Sequence, residues 1–181
     1  MPDVVTFRAP AATDAADLWR LARDSGALDL NSPYAYLLWC TDFAATSVVA
    51  GTDAVTADGD AGARGRDADG IVGFVGGYRP PTDPTSAFVW QVAVADAQRG
   101  RGLGRRLLSA FLARPGNRDA RWLTATVTPD NAASLALFQG LADDLGVGCR
   151  QSERFAAEVF PVEAGVHQPE LELRIGPLPP R

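Results

Sequence analysis

The 181-residue chain contains no lysine; all 17 of its cations are arginines, set against 22 acids. Without lysine there can be no Walker loop, whose G-x-x-x-x-G-K-S/T pattern needs that ammonium on the phosphates. A formal net charge of −5 leaves no broad basic surface, so no nucleic-acid partner is expected. Long apolar runs are also missing. None approaches the roughly 20 residues of a transmembrane helix, and Met1 leads into V-V-T-F-R with no leader pattern. No membrane partner is expected, and the cytoplasm is the expected compartment. Cysteine is scarce: Cys40 and Cys149 lie far apart, in no metal-ligand spacing, so neither a disulfide framework nor a bound metal is expected. Histidine occurs once, as His167.

What is present suits one domain over residues 1–181. A hydrophobic fraction of 46% is enough for a full core, and the length fits a single unit. Alternation predicts a strand over 4–8. Thr13 reads as the N-cap of a first helix that stops near Gly26, and Ser32 with Pro33 opens a second carrying Tyr34, Leu37 and Leu38. Strands follow at 46–50, 71–78 and 87–95. A helix from Leu103 to about Ala113, a strand over 122–128 and a helix from about Asn131 to Leu145 come next. The tail, 148–175, holds two more strands around an irregular segment. Residues 51–70, almost all small, Gly or Asp, read as a flexible hairpin-loop insertion between two strands of one sheet. The order β-α-α-β-β-β-α-β-α-β-β, with hairpins and one β-α-β crossover, predicts an α+β (mixed α/β) domain with a mostly antiparallel sheet and about four helices.

The strongest local signal is Q-V-A-V-A-D-A-Q-R-G-R-G-L-G-R-R-L-L. A β-branched strand enters Arg99-Gly100-Arg101-Gly102-Leu103-Gly104 and passes directly into an amphipathic helix with Arg105 in its first turn. Glycines let the backbone approach a ligand, and the helix start presents unpaired N–H groups and a positive dipole end. Such a loop suits a phosphate or pyrophosphate. The G-x-G-x-x-G spacing of a dinucleotide site is absent.

Arg99-x-x-Gly102-x-Gly104 after a strand resembles the Q/R-x-x-G-x-G/A motif of the GCN5-related N-acetyltransferase (GNAT) superfamily, and T-A-T-V-T-P-D-N-A-A-S supplies the family's next strand, with Asn131 and Ser134 in matching order. The resemblance implies acetyl-CoA as cosubstrate. Its pyrophosphate would sit on the glycine loop and its pantetheine arm between splayed strands four and five. A backbone N–H among Val92, Ala93 and Val94 would polarise the thioester carbonyl. One departure stands out: Phe138 occupies the helix position where many members carry the tyrosine that protonates the thiolate.

Further stretches are similar to one branch of that superfamily, the diaminobutyrate acetyltransferases of ectoine biosynthesis. They are D-L-N-S-P-Y-A-Y-L-L, G-F-V-G-G-Y-R-P-P, F-V-W-Q-V-A-V, H-Q-P-E and R-I-G-P, and they span nearly the whole chain apart from residues 51–70. The branch implies L-2,4-diaminobutyrate as the small-molecule partner, acetylated on its 4-amino group by direct attack, and a homodimer. Asp29 and Glu170 are the candidate acids for its ammonium groups. Each could instead be a solvated loop or strand-end charge.

An alkylammonium with a pKa near 10 must lose a proton before attack, at a cost of about 3 to 4 kcal/mol near neutrality. A neighbouring carboxylate raises that pKa further, so an acid positions the amine better than it deprotonates it. His167 is the candidate acceptor of the proton, with Glu170 beside it. Tyr34 could replace the missing acid or bind substrate, or simply pack on the core. Trp90 is expected to line the pocket. Arg79 or the Asn31–Ser32 pair could receive the substrate carboxylate. Two other readings remain: a GNAT enzyme acting on another amine, and a silent acetyl-CoA sensor.

Overall fold

A computed structural model gives the fold and describes residues 4–26, 28–52 and 70–180. Among the described residues seven strands make one sheet in the order β1-β2-β3-β4-β5-β7-β6. They are β1 (Val5–Arg8), β2 (Val48–Thr52), β3 (Gly70–Tyr78), β4 (Ser86–Val94), β5 (Trp122–Val127), β6 (Gly148–Phe155) and β7 (Glu170–Gly176). Every neighbouring pair is antiparallel except β4 and β5. That parallel pair is the product of the one crossover, through α3 (Leu103–Leu112). The remaining helices are α1 (Ala15–Ser25), α2 (Pro33–Cys40) and α4 (Ala132–Leu145).

The helices cover two parts of the sheet. On one face α3 and α4 close a core with β2 to β5 and β7; Leu103, Leu107 and Phe111 recur at helical spacing and pack on Val75, Val89 and Leu123. On the other face α1 and α2 bury Leu18, Ala22, Tyr36 and Trp39 against Val49, Phe74 and Ala93. The strand alternation of Leu123, Ala125, Leu173 and Ile175 into the first core sends Thr124, Thr126, Glu172 and Arg174 to the opposite face. This polar face of β5, β7 and β6 is on the side of the sheet that α1 and α2 cover at β2 to β4.

Element order agrees with the sequence pattern, and the edges differ in instructive ways. Thr13 is not an N-cap. The Asp14 carboxylate accepts from the Ala11 N–H at 2.7 Å and pairs with Arg8 at 2.6 Å, so the chain enters through a 3-10 turn at Ala12–Asp14. The α-helix therefore starts at Ala15 and ends at Gly26 in the left-handed conformation. Strand two begins at Val48 rather than 46, because the Thr46 hydroxyl closes a turn on the Phe43 carbonyl at 3.0 Å. Of the expected loop over 51–70, Gly51 and Thr52 end β2 and Gly70 opens β3, paired Thr52 with Gly70; residues 53–69 lie outside the described residues. No described helix is long and apolar enough to cross a membrane.

Candidate active site

The parallel ladder between β4 and β5 runs only from Ser86–Trp122 to Val89–Ala125. Beyond it β4 stays paired with β3 as far as Val94, and β5 with β7 as far as Val127. The facing edges of the two strands therefore part into a wedge. The divergence begins at a bulge: Gly76 lies opposite Gln91 and Gly77 opposite Val89, leaving Trp90 without a partner. A bulge bends its strand and re-aims one side chain. Val92, Ala93 and Val94 follow on the wedge edge, where backbone N–H and C=O groups have no ladder partner across from them. Such an edge suits the amide-rich arm of acetyl-CoA.

The glycine loop stands at the end of β4. Gly100 and Gly102 have φ of 73° and 74°, and a Cβ at either would meet nothing within 4 Å. Backbone conformation, rather than space, calls for glycine there. Gly102 caps α3, whose first helical bond is Arg106 N–H to the Gly102 carbonyl at 3.2 Å. The N–H groups of Leu103, Gly104 and Arg105 precede that bond and remain for an anion. Gly104 has a packing role as well, since a Cβ there would lie 3.0 Å from Leu137 of α4. The arginines are partly committed: Arg99 pairs with Asp96 at 3.0 Å and Arg105 with Asp144 at 3.2 Å. Arg101 is exposed and has no ion pair among the described residues.

Asn131 caps α4, its side-chain oxygen accepting from the Ser134 N–H at 3.0 Å. Phe138, one turn further, is 2% exposed and belongs to the core under the sheet. It offers no proton to a leaving thiolate.

Four segments converge beside the wedge. Glu170 opens β7, half-buried, and its carboxyl is pushed above the usual range by desolvation, with the Asp29 charge adding to the rise. The His167 charge and a hydrogen bond with Thr126 of β5 act in the opposite direction. The α1–α2 connection thus brings Asp29, the β6–β7 connection His167, and two strands bring Glu170 and Thr126 to one place. The His167 ring stacks on Phe160 at 3.6 Å between centroids, and its Nδ1 lies 2.6 Å from the Gln168 carbonyl. A carbonyl only accepts, so Nδ1 carries a hydrogen, which leaves Nε2 as the ring position through which a proton can be exchanged.

Trp90 is 48% exposed, with its ring 5.8 Å from Trp39 and 6.4 Å from Phe88. Tyr34 is 67% exposed in the first turn of α2, whereas Tyr36 is fully buried. The Tyr36 hydroxyl donates to Gln91 Oε1 at 3.1 Å, and Gln91 Nε2 donates to the Asp29 carbonyl at 2.7 Å. Burial raises the Tyr36 hydroxyl above its ordinary value, opposed by hydrogen bonds with Asn31 and Gln91. The expectations above single out neither Tyr36 nor Gln91. The signal for the second is a lone amide inside an otherwise apolar strand, V-W-Q-V-A-V. Arg79, a candidate for the substrate carboxylate, is committed elsewhere. It bonds Asp119 at 2.7 Å, the Gly116 carbonyl at 3.2 Å and the Pro84 carbonyl, clasping the β3–β4 turn to the α3–β5 connection.

A wedge between two parallel strands, followed by a left-handed glycine turn at a helix start, defines an acyl-CoA-binding transferase. The profile of the acetyltransferase (GNAT) family matches residues 17–142, and the chain belongs to that family. Within it the chain is similar to L-2,4-diaminobutyric acid acetyltransferase of Nocardia farcinica, 45% identical over 172 residues, covering 95% of this chain and 80% of that protein. The enzyme of the same name from Streptomyces coelicolor is 44% identical, covering 93% and 91%. Among solved structures, diaminobutyrate acetyltransferase EctA from Paenibacillus lautus, in complex with its substrate L-2,4-diaminobutyric acid and coenzyme A, superposes with a TM-score of 0.81 at 35% identity, covering 97% and 96%.

Proposed function

We propose that this protein transfers the acetyl group of acetyl-CoA to the 4-amino group of L-2,4-diaminobutyrate, giving N4-acetyl-L-2,4-diaminobutyrate and CoA. The observation that carries the reading is the wedge that opens between β4 and β5 beyond Val89–Ala125, with the left-handed glycine turn at its end and the acid Glu170 at the start of the bordering β7. A diamine needs acids around its ammonium groups, and the wedge is where the acetyl donor would lie. The similarity to EctA of Paenibacillus lautus supports the same acceptor.

In this reading the glycine loop from Arg99 to Arg105 and the start of α3 take the pyrophosphate, and the open edges of β4 and β5 take the pantetheine arm. Asn131 and Ser134 border that arm at the start of α4. A backbone N–H among Val92, Ala93 and Val94 donates to the thioester carbonyl as its charge develops. Trp90 walls the acceptor and Tyr34 borders it. Asp29 and Glu170 hold the ammonium groups, and the Nε2 of His167 takes the proton from the attacking amine. The amine attacks the thioester directly; the buried Cys40 and the half-buried Cys149 carry no acyl group. The reaction needs no metal. We further infer one domain over 1–181, a cytoplasmic homodimer and a step of ectoine biosynthesis, serving osmoprotection. The exposed apolar side chains of Leu30, Tyr34 and Leu37 beside the acceptor support an association surface.

The test is turnover of diaminobutyrate, ornithine, lysine and a short peptide, followed as CoA release, with NMR assignment of the acetylated nitrogen. A clear preference for diaminobutyrate with the acetyl group on N4 is expected. Equal rates on all four would overturn the acceptor, and acetyl-CoA binding without CoA release would favour a silent sensor.

A further inference from the structure

The polar face of β5, β7 and β6 carries a cleft of about 450 Å³ whose lining includes Asp83, Thr124, Arg154, Glu172 and Arg174. It adjoins the acceptor side. Glu170 and Glu172 alternate along β7 and so share a face, and Thr126, the partner of Glu170, lies opposite Glu172 in the ladder. Arg154 sits where the β6 register shifts between Glu153 and Phe155, which is paired with Glu170. Its guanidinium ion-pairs with Glu172 and lies over the rings of Phe88, at 5.6 Å, and Phe155, at 5.4 Å. Phe88 in turn contacts Trp90. The rings and the acid fix the plane of the guanidinium. An arginine has five N–H donors in a fork, so the ion pair leaves others for a second carboxylate.

A chain without lysine must meet a carboxylate with arginine, a neutral donor or backbone. Arg79 is committed to Asp119 and two carbonyls. Arg174 faces Asp83 at 3.3 Å and lies over Trp122 at 4.5 Å, two residues further along β7 than Glu172. Arg154 is the arginine of this face that stands against both Phe88 and the strand position opposite Glu170.

We propose that Arg154 receives the α-carboxylate of the acceptor, so that the pocket selects an amino acid over a plain diamine. The inference rests on the diaminobutyrate reading above. Carboxylate and 2-ammonium leave the same carbon, so a carboxylate on Arg154 sets the 2-ammonium toward Glu170 and Asp29, the acids already assigned to the ammonium groups, while Glu172 holds the guanidinium in place. The 4-amino group, two carbons on, then extends past Glu170 toward His167 and the wedge.

The experiment compares kcat/KM for L-2,4-diaminobutyrate with that for 1,3-diaminopropane, the same molecule without its carboxylate, in the wild type, Arg154→Gln and Arg154→Lys. Loss of a charged hydrogen-bond pair is expected to lower the ratio of the two values about ten- to hundredfold in Arg154→Gln. Arg154→Lys, which retains the charge but not the fork, is expected to fall between, and it serves alone should the glutamine variant fail to fold. A ratio within threefold of wild type, with both acceptors affected alike, overturns the assignment. A wild-type protein that releases no CoA with diaminobutyrate brings down the acceptor reading itself, and this assignment with it; that result is visible before any variant is made.

Discussion

Gln91 holds Asp29 from inside the sheet: its buried carboxamide donates to the Asp29 carbonyl at 2.7 Å, across 62 residues of sequence. The same carboxamide accepts from Tyr36, so strand β4, helix α2 and the α1–α2 connection share one polar contact. That contact anchors the backbone of Asp29, whose charge acts on Glu170.

Gln91→Leu keeps most of the volume and leaves the Asp29 carbonyl and the Tyr36 hydroxyl without this partner. An unpaired buried polar group costs about 1 to 3 kcal/mol. The expected result is a fall in melting temperature and a several-fold to tenfold rise in KM for the diamine, with KM for acetyl-CoA unchanged. Steady-state kinetics with each substrate varied in turn checks it; an equal rise in both constants would mean that Gln91 only supports the fold.

Gly102 and Gly104 separate two demands within one loop. Gly102→Ala forces a side chain into the left-handed region, a cost of about 1 to 2 kcal/mol, yet its Cβ would touch nothing within 4 Å. Weaker acetyl-CoA binding, about tenfold by calorimetry, with a small drop in melting temperature is expected. Gly104→Val should act in the reverse order, because the contact with Leu137 at 3.0 Å forces α3 away from α4. Melting curves that fail to rank the two variants this way would refute the division.

The thiols give an independent check on direct attack. Burial pushes Cys40 up to about 12, with Asp14 adding to the rise and Arg8 opposing it, and burial raises Cys149 as well. Thiolates are the reactive form, so at pH 8 only about one Cys40 in ten thousand is available. Iodoacetamide should leave the folded enzyme fully active and label Cys40 only after denaturation, as followed by mass spectrometry. Activity lost in step with labelling of either cysteine would require an acyl-enzyme route instead.

Much of this arrangement is legible in the residues. The glycine loop announces itself because left-handed turns and helix starts require particular residue types, and Asn131 marks the approximate start of α4, where the structure shows it as the cap. Other features need the third dimension. Tyr34 and Tyr36 sit on different faces of a helix that is apolar almost all round, so nothing local says which hydroxyl is enclosed. The bulge at Trp90 and the register shift beside Arg154 each displace one residue from the alternating pattern, and alternation alone cannot foresee that. Thr13 misleads as a cap because Arg8, outside the helix, engages Asp14 first.

Glu170 ties pH to both binding and stability. Desolvation and the Asp29 charge hold its carboxyl above the ordinary glutamate range, outweighing Thr126 and His167. On acidification Glu170 therefore takes up its proton before a surface glutamate would, and the proposed acceptor site loses one of its two acids. KM for the diamine should rise along that limb, and the rise should flatten in Glu170→Gln, whose KM is already high throughout. The stability effect has the opposite sign. With a folded pKa above the unfolded one, the folded state binds more protons, so ionised Glu170 is a burden. The burden is absent below the unfolded value, grows as pH rises through the folded value and is complete near neutrality. Glu170→Gln should thus gain more in melting temperature at pH 7 than at pH 4 while losing affinity for the diamine. A variant that lost stability at pH 7 would show that Glu170 is held by structural partners rather than kept for the substrate.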